Sequence, residues 1–239
     1  MTTFVLVPGM WLGTWAWRDV ARELRAAGHD AYPLTLTGLA ERAHLGGPDT
    51  DLDTHITDIT ALVEAEDLTD VVLVAHSYAG APVTGAADRL GDRVARVIHV
   101  DSGPVPDGVA HDDFNPPEER ARTKAGLLDG WRVPVPPFDP AADPVNLAGL
   151  TEPVLARLRR LATPHPYGSV TQPLRLSGRP APPRTLIACA MPAAQVQALI
   201  DAGHPFFAGL AGAPLLPLPT GHWPMFSEPA RLAELLISR

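Results

Sequence analysis

Residues 71–80 read VVLVAHSYAG, an apolar run of β-forming residues that stops at a histidine and a serine and continues with small residues. Such a run predicts a buried strand, and the small residues after Ser77 predict a helix that packs closely against it. A serine at a sharp strand-to-helix turn is held outward at a helix N-terminus, where anions are stabilised. The stretch therefore predicts a nucleophile elbow, with Ala75 and Ala79 in the glycine positions of the G-x-S-x-G pattern. A helix cap is the alternative role for Ser77.

The rest of the chain alternates short apolar runs with segments of helical period, the pattern of β-α units that build a mostly parallel sheet flanked by helices. The predicted strands lie in TFVLVPG, DAYPLTL, DVVLVAH, VARVIHV, RTLIACA and APLLPLP. Between the fourth and fifth, WRVPVPPFDPAADP and SGRPAPPR are too rich in proline for regular helix or central strand. We therefore predict one α/β domain over residues 1–239, with 103–180 as a small proline-rich cap over a pocket.

Composition narrows the range of partners. The 239 residues carry a formal net charge of -8, from 27 acidic and 19 basic side chains, which argues against nucleic acid or an anionic membrane surface as partner. The first apolar run is too short to span a bilayer and lacks a basic flank, so we expect no membrane or signal segment there. Cys189 is the only cysteine, which favours a reducing cytoplasm. We predict a small-molecule substrate and leave a homodimer open.

A serine hydroxyl attacks a carbonyl only when a base removes its proton, so a histidine is needed on another loop. PLPTGHWPMFSEP supplies His222, after the last predicted strand and before the last helix. The oxyanion then requires two backbone N–H donors, for which we choose Tyr78, directly after the serine, and Met10 in the loop PGMWLGTW. The alternative for His222 is an ordinary surface histidine. The alternative for the loop PGMWLGTW is a glycine turn with exposed aromatic residues.

These segments together resemble the α/β-hydrolase superfamily, and within it the small branch of plant methylesterases and hydroxynitrile lyases that includes many bacterial proteins. The resemblance covers nearly the whole chain and is carried by VPGMWLGTWAW, LTLTGLAERAHL, VAHSYAG, VIHVDSGPVPDG and TGHWPMFSEP. It implies the α/β-hydrolase fold. Lyases of this branch usually have a threonine and a lysine where this chain has Gly9 and Trp223, so the resemblance favours an esterase. The usual His-Gly opening of the first loop is Pro8-Gly9 here.

The acid of the triad is absent from its usual place in this superfamily. Most members carry an aspartate just after the strand that here reads RTLIACA, yet the following MPAAQVQAL has no carboxylate before Asp201. Asp101, after VARVIHV, is the best substitute, because some α/β hydrolases carry their acid there and the chain order Ser77, Asp101, His222 is kept. Asp101 could equally cap the loop DSGPVPDG.

The substrate pocket is predicted from aromatic residues and from residues near the serine. We expect Gly9, Trp11, His76, Trp131 and Trp223 to line it, with His76 as a packing residue or a hydrogen bonder at its floor. Core packing is the alternative for the tryptophans at positions 11, 15, 17 and 131.

The leading hypothesis is a serine hydrolase that cleaves carboxylic esters of small apolar or aromatic molecules through an acyl-enzyme. It implies no cofactor, and HDDF at 111–114 has no second ligand cluster that would suggest a metal. Two alternatives stay open: a lyase or cyclase in which Ser77 and His222 relay protons without an acyl-enzyme, and a ligand-binding protein without catalysis.

Overall fold

A computed structural model describes residues 1–238, so that Arg239, the last residue of the predicted domain, lies outside the described residues. The chain forms the strands β1 (Thr3–Val7), β2 (Asp30–Pro33), β3 (Val71–His76), β4 (Val94–Val100), β5 (Arg132–Val133), β6 (His165–Pro166), β7 (Arg184–Ala188) and β8 (Leu215–Pro217). Six of them form a parallel sheet in the order β2-β1-β3-β4-β7-β8, and β5 and β6 form a small antiparallel pair. Each predicted strand contributes to the six-stranded sheet, whereas β5 and β6 were not predicted.

Helices connect the strands and cover the sheet. They are α1 (Arg18–Ala26), α2 (Leu52–Ala65), α3 (Gly80–Leu90), α4 (Pro117–Ala125), α5 (Glu152–Leu161), α6 (Tyr167–Thr171), α7 (Ala193–Asp201), α8 (Pro224–Ser227) and α9 (Pro229–Ile237). Helix α2 begins with a capping box, in which the Asp51 side chain accepts the Thr54 N–H at 2.8 Å. Within residues 1–238, no helix combines the length and the apolar character that crossing a membrane requires.

The central strand β3 is buried on both faces, which explains its continuous apolar sequence. Val72 and Val74 point into a core that contains α1 and α9, while Val71, Leu73 and Ala75 point into a core formed with α2 and α3. Because the strands of the sheet are parallel, their carboxyl ends share one edge, which is where ligands bind in open α/β folds. The predicted architecture, a mostly parallel sheet between layers of helices, is confirmed.

The long connection between β4 and β7 contains the predicted cap, residues 103–180, with α4, α5, α6 and the β5–β6 pair. Its most proline-rich part, residues 134–150, has neither helix nor strand. Arg159 of α5 holds the backbone of this segment in place. Its guanidinium donates hydrogen bonds to the carbonyl oxygens of Pro137 at 3.2 Å and Phe138 at 2.7 Å. Phe138 is thereby buried against the sheet edge, with 2% of its surface exposed.

Candidate active site

Ser77 lies at the turn between β3 and α3, at the carboxyl edge of the sheet. Its backbone has a φ of +54°, in the left-handed region that residues other than glycine rarely adopt. The Ser102 hydroxyl, on the loop after β4, donates to the Ser77 carbonyl oxygen at 2.5 Å and holds the turn. The reversal of the chain at one residue turns the serine side chain out of the sheet, as the sequence predicted for an elbow.

Two glycines allow the chain to pack closely around this turn. A Cβ atom on Gly9 would lie 2.9 Å from Ser77 Cβ and 2.9 Å from His76 Nδ1, too close for any side chain. A Cβ atom on Gly80 would overlap the carbonyl oxygen of Gly103. The first residue of α3 must therefore be glycine, which explains why the glycine of AHSYAG comes one step after the usual position in the motif.

His222 reaches Ser77 from the loop between β8 and α8. Its Nε2 lies 2.9 Å from Ser77 Oγ, and its Nδ1 lies 2.6 Å from Asp101 Oδ2. A carboxylate only accepts, so Nδ1 carries the proton and Nε2 is free to accept the serine proton. The imidazole is 23% exposed and the Asp101 side chain 14%, so a small molecule can approach one end of this chain of hydrogen bonds. The structure thus brings together all three side chains predicted for the triad.

Asp101 is held by the end of the neighbouring strand. Its Oδ1 accepts the backbone N–H of Cys189 at 3.1 Å and of Ala190 at 3.2 Å, immediately after β7. Burial raises the pKa of the Asp101 carboxyl, but the hydrogen bonds and the charge of His222 lower it by more, so the net pKa lies below the usual value. The end of β7, where the resemblance led us to expect the acid, instead supplies two donors to an acid on the adjacent strand.

The backbone of His222 is fixed on both sides. Its N–H donates to the carbonyl oxygen of Asn146 at 2.7 Å, and its own carbonyl accepts Nε2–H of His76 at 2.7 Å. His76 is almost fully buried, and this burial, with the charge of His222, lowers its pKa to about 3. Neutral His76 therefore holds the histidine loop from the sheet, while Asn146 holds it from the cap.

The residues predicted to bind the oxyanion flank the serine. Met10 lines the same cavity as Ser77, and Tyr78 lies in the first helical turn, Ser77–Ala79, where N–H groups lack partners within the helix. Among the described residues, neither Met10 nor Tyr78 donates its N–H in a loop or turn hydrogen bond. His55 holds the Tyr78 side chain by a hydrogen bond. Its Nε2 donates to the Thr37 carbonyl oxygen at 2.9 Å, so its Nδ1 is the acceptor nitrogen and receives the hydrogen bond of the Tyr78 hydroxyl at 2.8 Å.

A cavity of about 340 Å³ opens beside Ser77 and His222. Trp11 and Trp223 line it, as predicted. Its other walls come from Met10 and from the cap, through Pro136, Pro137, Phe138, Asp139, Ala142, Asp143, Asn146 and Leu147. The cap residues were missed individually, although the proline-rich composition of their segment pointed to this region.

Three residues predicted for the pocket do not line the cavity. Gly9 and His76 lie beneath the elbow, where they pack against each other rather than against open space. Trp131 is half-buried beside the small β5–β6 pair, with the Arg132 guanidinium 5.3 Å from its ring centroid. Trp15 and Trp17 are core residues: Trp15 stacks on Phe226 at 5.6 Å and Trp17 is fully buried.

Comparison with known proteins identifies the class. Residues 4–235 match the Alpha/beta hydrolase family, to which the chain therefore belongs. It is 32% identical over 255 residues to a carbendazim hydrolyzing esterase of Nocardioides sp. (strain SG-4G), an alignment that covers 99% of this chain and 98% of that one. An extracellular alpha/beta-hydrolase from a Paenibacillus species has a similar structure, with a TM-score of 0.81, 21% identity and coverage of 99% and 98%. A methylesterase from Arabidopsis aligns with a TM-score of 0.75 at 21% identity, covering 99% and 98% of the two chains.

Proposed function

We propose that this protein is a serine hydrolase that cleaves carboxylic esters of small apolar or aromatic molecules. The observation that carries the proposal is the chain of hydrogen bonds from Ser77 Oγ to His222 Nε2, 2.9 Å, and from His222 Nδ1 to Asp101 Oδ2, 2.6 Å, beside a largely apolar cavity. An alcohol, an imidazole and a carboxylate in this order form the arrangement that activates a serine for acyl transfer.

The reaction follows from the roles of these groups. His222 removes the proton of Ser77 as Oγ attacks the ester carbonyl, and Asp101 stabilises the imidazolium that forms. The N–H groups of Met10 and Tyr78 bind the developing oxyanion. His222 then gives its proton to the leaving alcohol, which leaves an acyl group on Ser77. Water, activated by the same histidine, hydrolyses this acyl-enzyme and frees the carboxylic acid.

The kind of substrate is supported by the cavity and by the relatives. Apolar side chains, among them three aromatic rings and two prolines, form most of the walls, which suits a small apolar or aromatic molecule. The full-length relative from Nocardioides is named as an esterase that hydrolyses carbendazim, and the similar Arabidopsis structure is a methylesterase. We therefore expect simple methyl and aryl esters to be substrates.

The test is ester turnover by the purified protein and by Ser77→Ala. We expect the substitution to lower kcat by at least about 10⁴-fold, because the nucleophile is removed. Ser177→Ala, on the exposed segment near Asp88, is the matched control and should retain activity. A fluorophosphonate should add to Ser77 in the wild-type protein, as intact mass and peptide analysis would report. Unchanged ester turnover in Ser77→Ala would rule out this mechanism.

The lyase or cyclase alternative is less well supported than ester hydrolysis. It was motivated by the missing acid after β7, yet Asp101 lies within hydrogen-bond distance of His222. The phosphonate separates the two reactions, because an enzyme that only relays protons would stay active and unlabelled. Cytoplasmic location and the absence of nucleic-acid binding stay predictions from composition alone, and a homodimer stays open.

A further inference from the structure

The charge of the cavity beside Ser77 bears on which esters can enter it; this inference rests on the proposed ester hydrolysis. The site is already defined by the serine and histidine on one side and by the aromatic rings of Trp11, Phe138 and Trp223. Phe138 packs edge-on against Trp223, with ring centroids 5.5 Å apart, so that these walls form one apolar surface. An aromatic ester would bury its ring against this surface.

The cap adds negative charge to the same cavity. Asp139 and Asp143 both line it, and no lysine or arginine is among its lining residues. Asp139 Oδ1 accepts the Ala141 N–H at 2.9 Å, and Asp143 accepts the N–H and Nδ2 of Asn146 at 3.3 and 3.1 Å. All of these donors are neutral. Among residues 1–238, neither carboxylate forms an ion pair.

The guanidinium of Arg159, which binds the cavity wall, does not offset this charge at the cavity. Arg159 lies behind the wall and donates to the carbonyl oxygens of Pro137 and Phe138. It also pairs with Glu152 at 2.8 Å, so its own charge is opposed on the outer side of the cap. A ligand in the cavity therefore meets two carboxylates and, among the described residues, no lysine or arginine side chain.

We infer that the enzyme selects aromatic esters that carry a cationic group, such as a protonated amine, away from the ester carbonyl, and that it disfavours esters that carry a carboxylate there. A cation in the cavity is attracted by Asp139 and Asp143 and by the faces of the aromatic rings. An anion meets two like charges with nothing to neutralise it. Because the cavity opens to solvent, the preference should be modest, roughly three- to tenfold between the cationic ester and its neutral counterpart.

The experiment compares three methyl benzoates that differ in the para substituent: methyl 4-(aminomethyl)benzoate, methyl 4-ethylbenzoate and methyl 4-(carboxymethyl)benzoate, of which the first two have substituents of equal size. A methylene group insulates the charge from the reacting carbonyl in the first and third. We expect kcat/KM to fall in that order, and the ratio of the first to the third to shrink at about 1 M salt, where charges are screened beyond about 3 Å.

Two variants locate the source of the preference. In Asp139→Asn with Asp143→Asn the ratio of cationic to anionic ester should approach the ratio at high salt. Asp92→Asn is the matched control, because it changes the net charge equally and Asp92 is exposed and does not line this cavity. There the wild-type ratio should persist. An equal shift in the control would assign the preference to the overall charge and overturn the inference.

Binding separates this inference from the proposed reaction. The same three esters are titrated into Ser77→Ala, with the fluorescence of Trp11 and Trp223 at the cavity as the readout. Cleavage of all three esters at one rate, with equal affinities, would overturn the inference and leave ester hydrolysis standing. If no ester were cleaved, the proposed function would fail, and the affinities would still decide whether the cavity prefers the cation.

Discussion

The two sides of Ser77 are built in different ways. On the sheet side, the serine lies between a strand and a helix. Gly9 packs so closely against Ser77, and Gly80 against Gly103, that neither glycine has room for a Cβ atom. On the cap side, residues 134–150 form the wall of the cavity without helix or strand. The sheet side thus fixes the reacting atoms, while the cap side determines which molecules reach them. Changes on the sheet side should therefore alter kcat, and changes in the cap should alter the choice of substrate.

The largest effect is expected at Asp101, on the sheet side. Asp101→Asn can donate to His222 Nδ1 and would stabilise the wrong tautomer, so kcat should fall by about 10⁴-fold. The measurement is kcat for a methyl ester, with circular dichroism to show that the fold persists. Asp107→Asn is the control and should leave kcat unchanged, because Asp107 is exposed and, within residues 1–238, accepts only the Leu176 N–H. A loss below about tenfold would mean that Asp101 does not orient the histidine.

The two sides meet at the histidine loop, and Gly221→Ala should disturb this junction. A Cβ atom at Gly221 would overlap the Asn146 carbonyl oxygen and lie 2.6 Å from that of Ala148, both in the cap. The loop must then move away from the cap and carry His222 with it. We expect kcat to fall by about 10²-fold, the effect of displacing a catalytic group by about 1 Å.

Gly47→Ala is the control for that prediction, because no atom of the described residues lies within 4 Å of its added Cβ atom. Thermal unfolding of both variants distinguishes a local shift from a general loss of stability. If Gly221→Ala lowered the unfolding temperature and left kcat intact, the contact between cap and histidine loop would serve stability alone.

The same contrast explains what the sequence could predict. The elbow, His222 and Asp101 each follow a strand that the apolar pattern makes visible, and parallel strands bring their ends to one edge. The cavity wall has no such pattern. Phe138 reaches the cavity because Arg159, distant in sequence, binds two carbonyl groups of its segment, and no periodicity encodes such a contact. Trp131 was predicted for the pocket on its residue type alone, and the structure places it outside this cavity, beside β5.

The smallest effect is expected at His99 of β4, on the sheet side but away from the triad. Its side chain is fully buried, and within residues 1–238 neither ring nitrogen has a hydrogen-bond partner. Burial, and then the positive charge of Arg184, lower the pKa of His99 to about 3. The unfolded chain therefore binds a proton near pH 6.5 that the folded chain does not, and stability is lost as the pH falls from about 6.5 toward 3.

His99→Leu removes this proton-binding group and the two unpaired nitrogens. The substitution should raise the free energy of unfolding by about 2 kcal/mol more at pH 5 than at neutral pH. The reason is that pH 5 lies about 1.5 units below the ordinary pKa of histidine, so the unfolded wild-type chain is protonated there. Urea unfolding at both pH values measures the difference. The exposed His44→Leu should change stability by less than about 0.5 kcal/mol at either pH. A gain for His99→Leu that did not depend on pH would mean that the folded and unfolded chains bind the His99 proton equally well, so that burial does not lower its pKa.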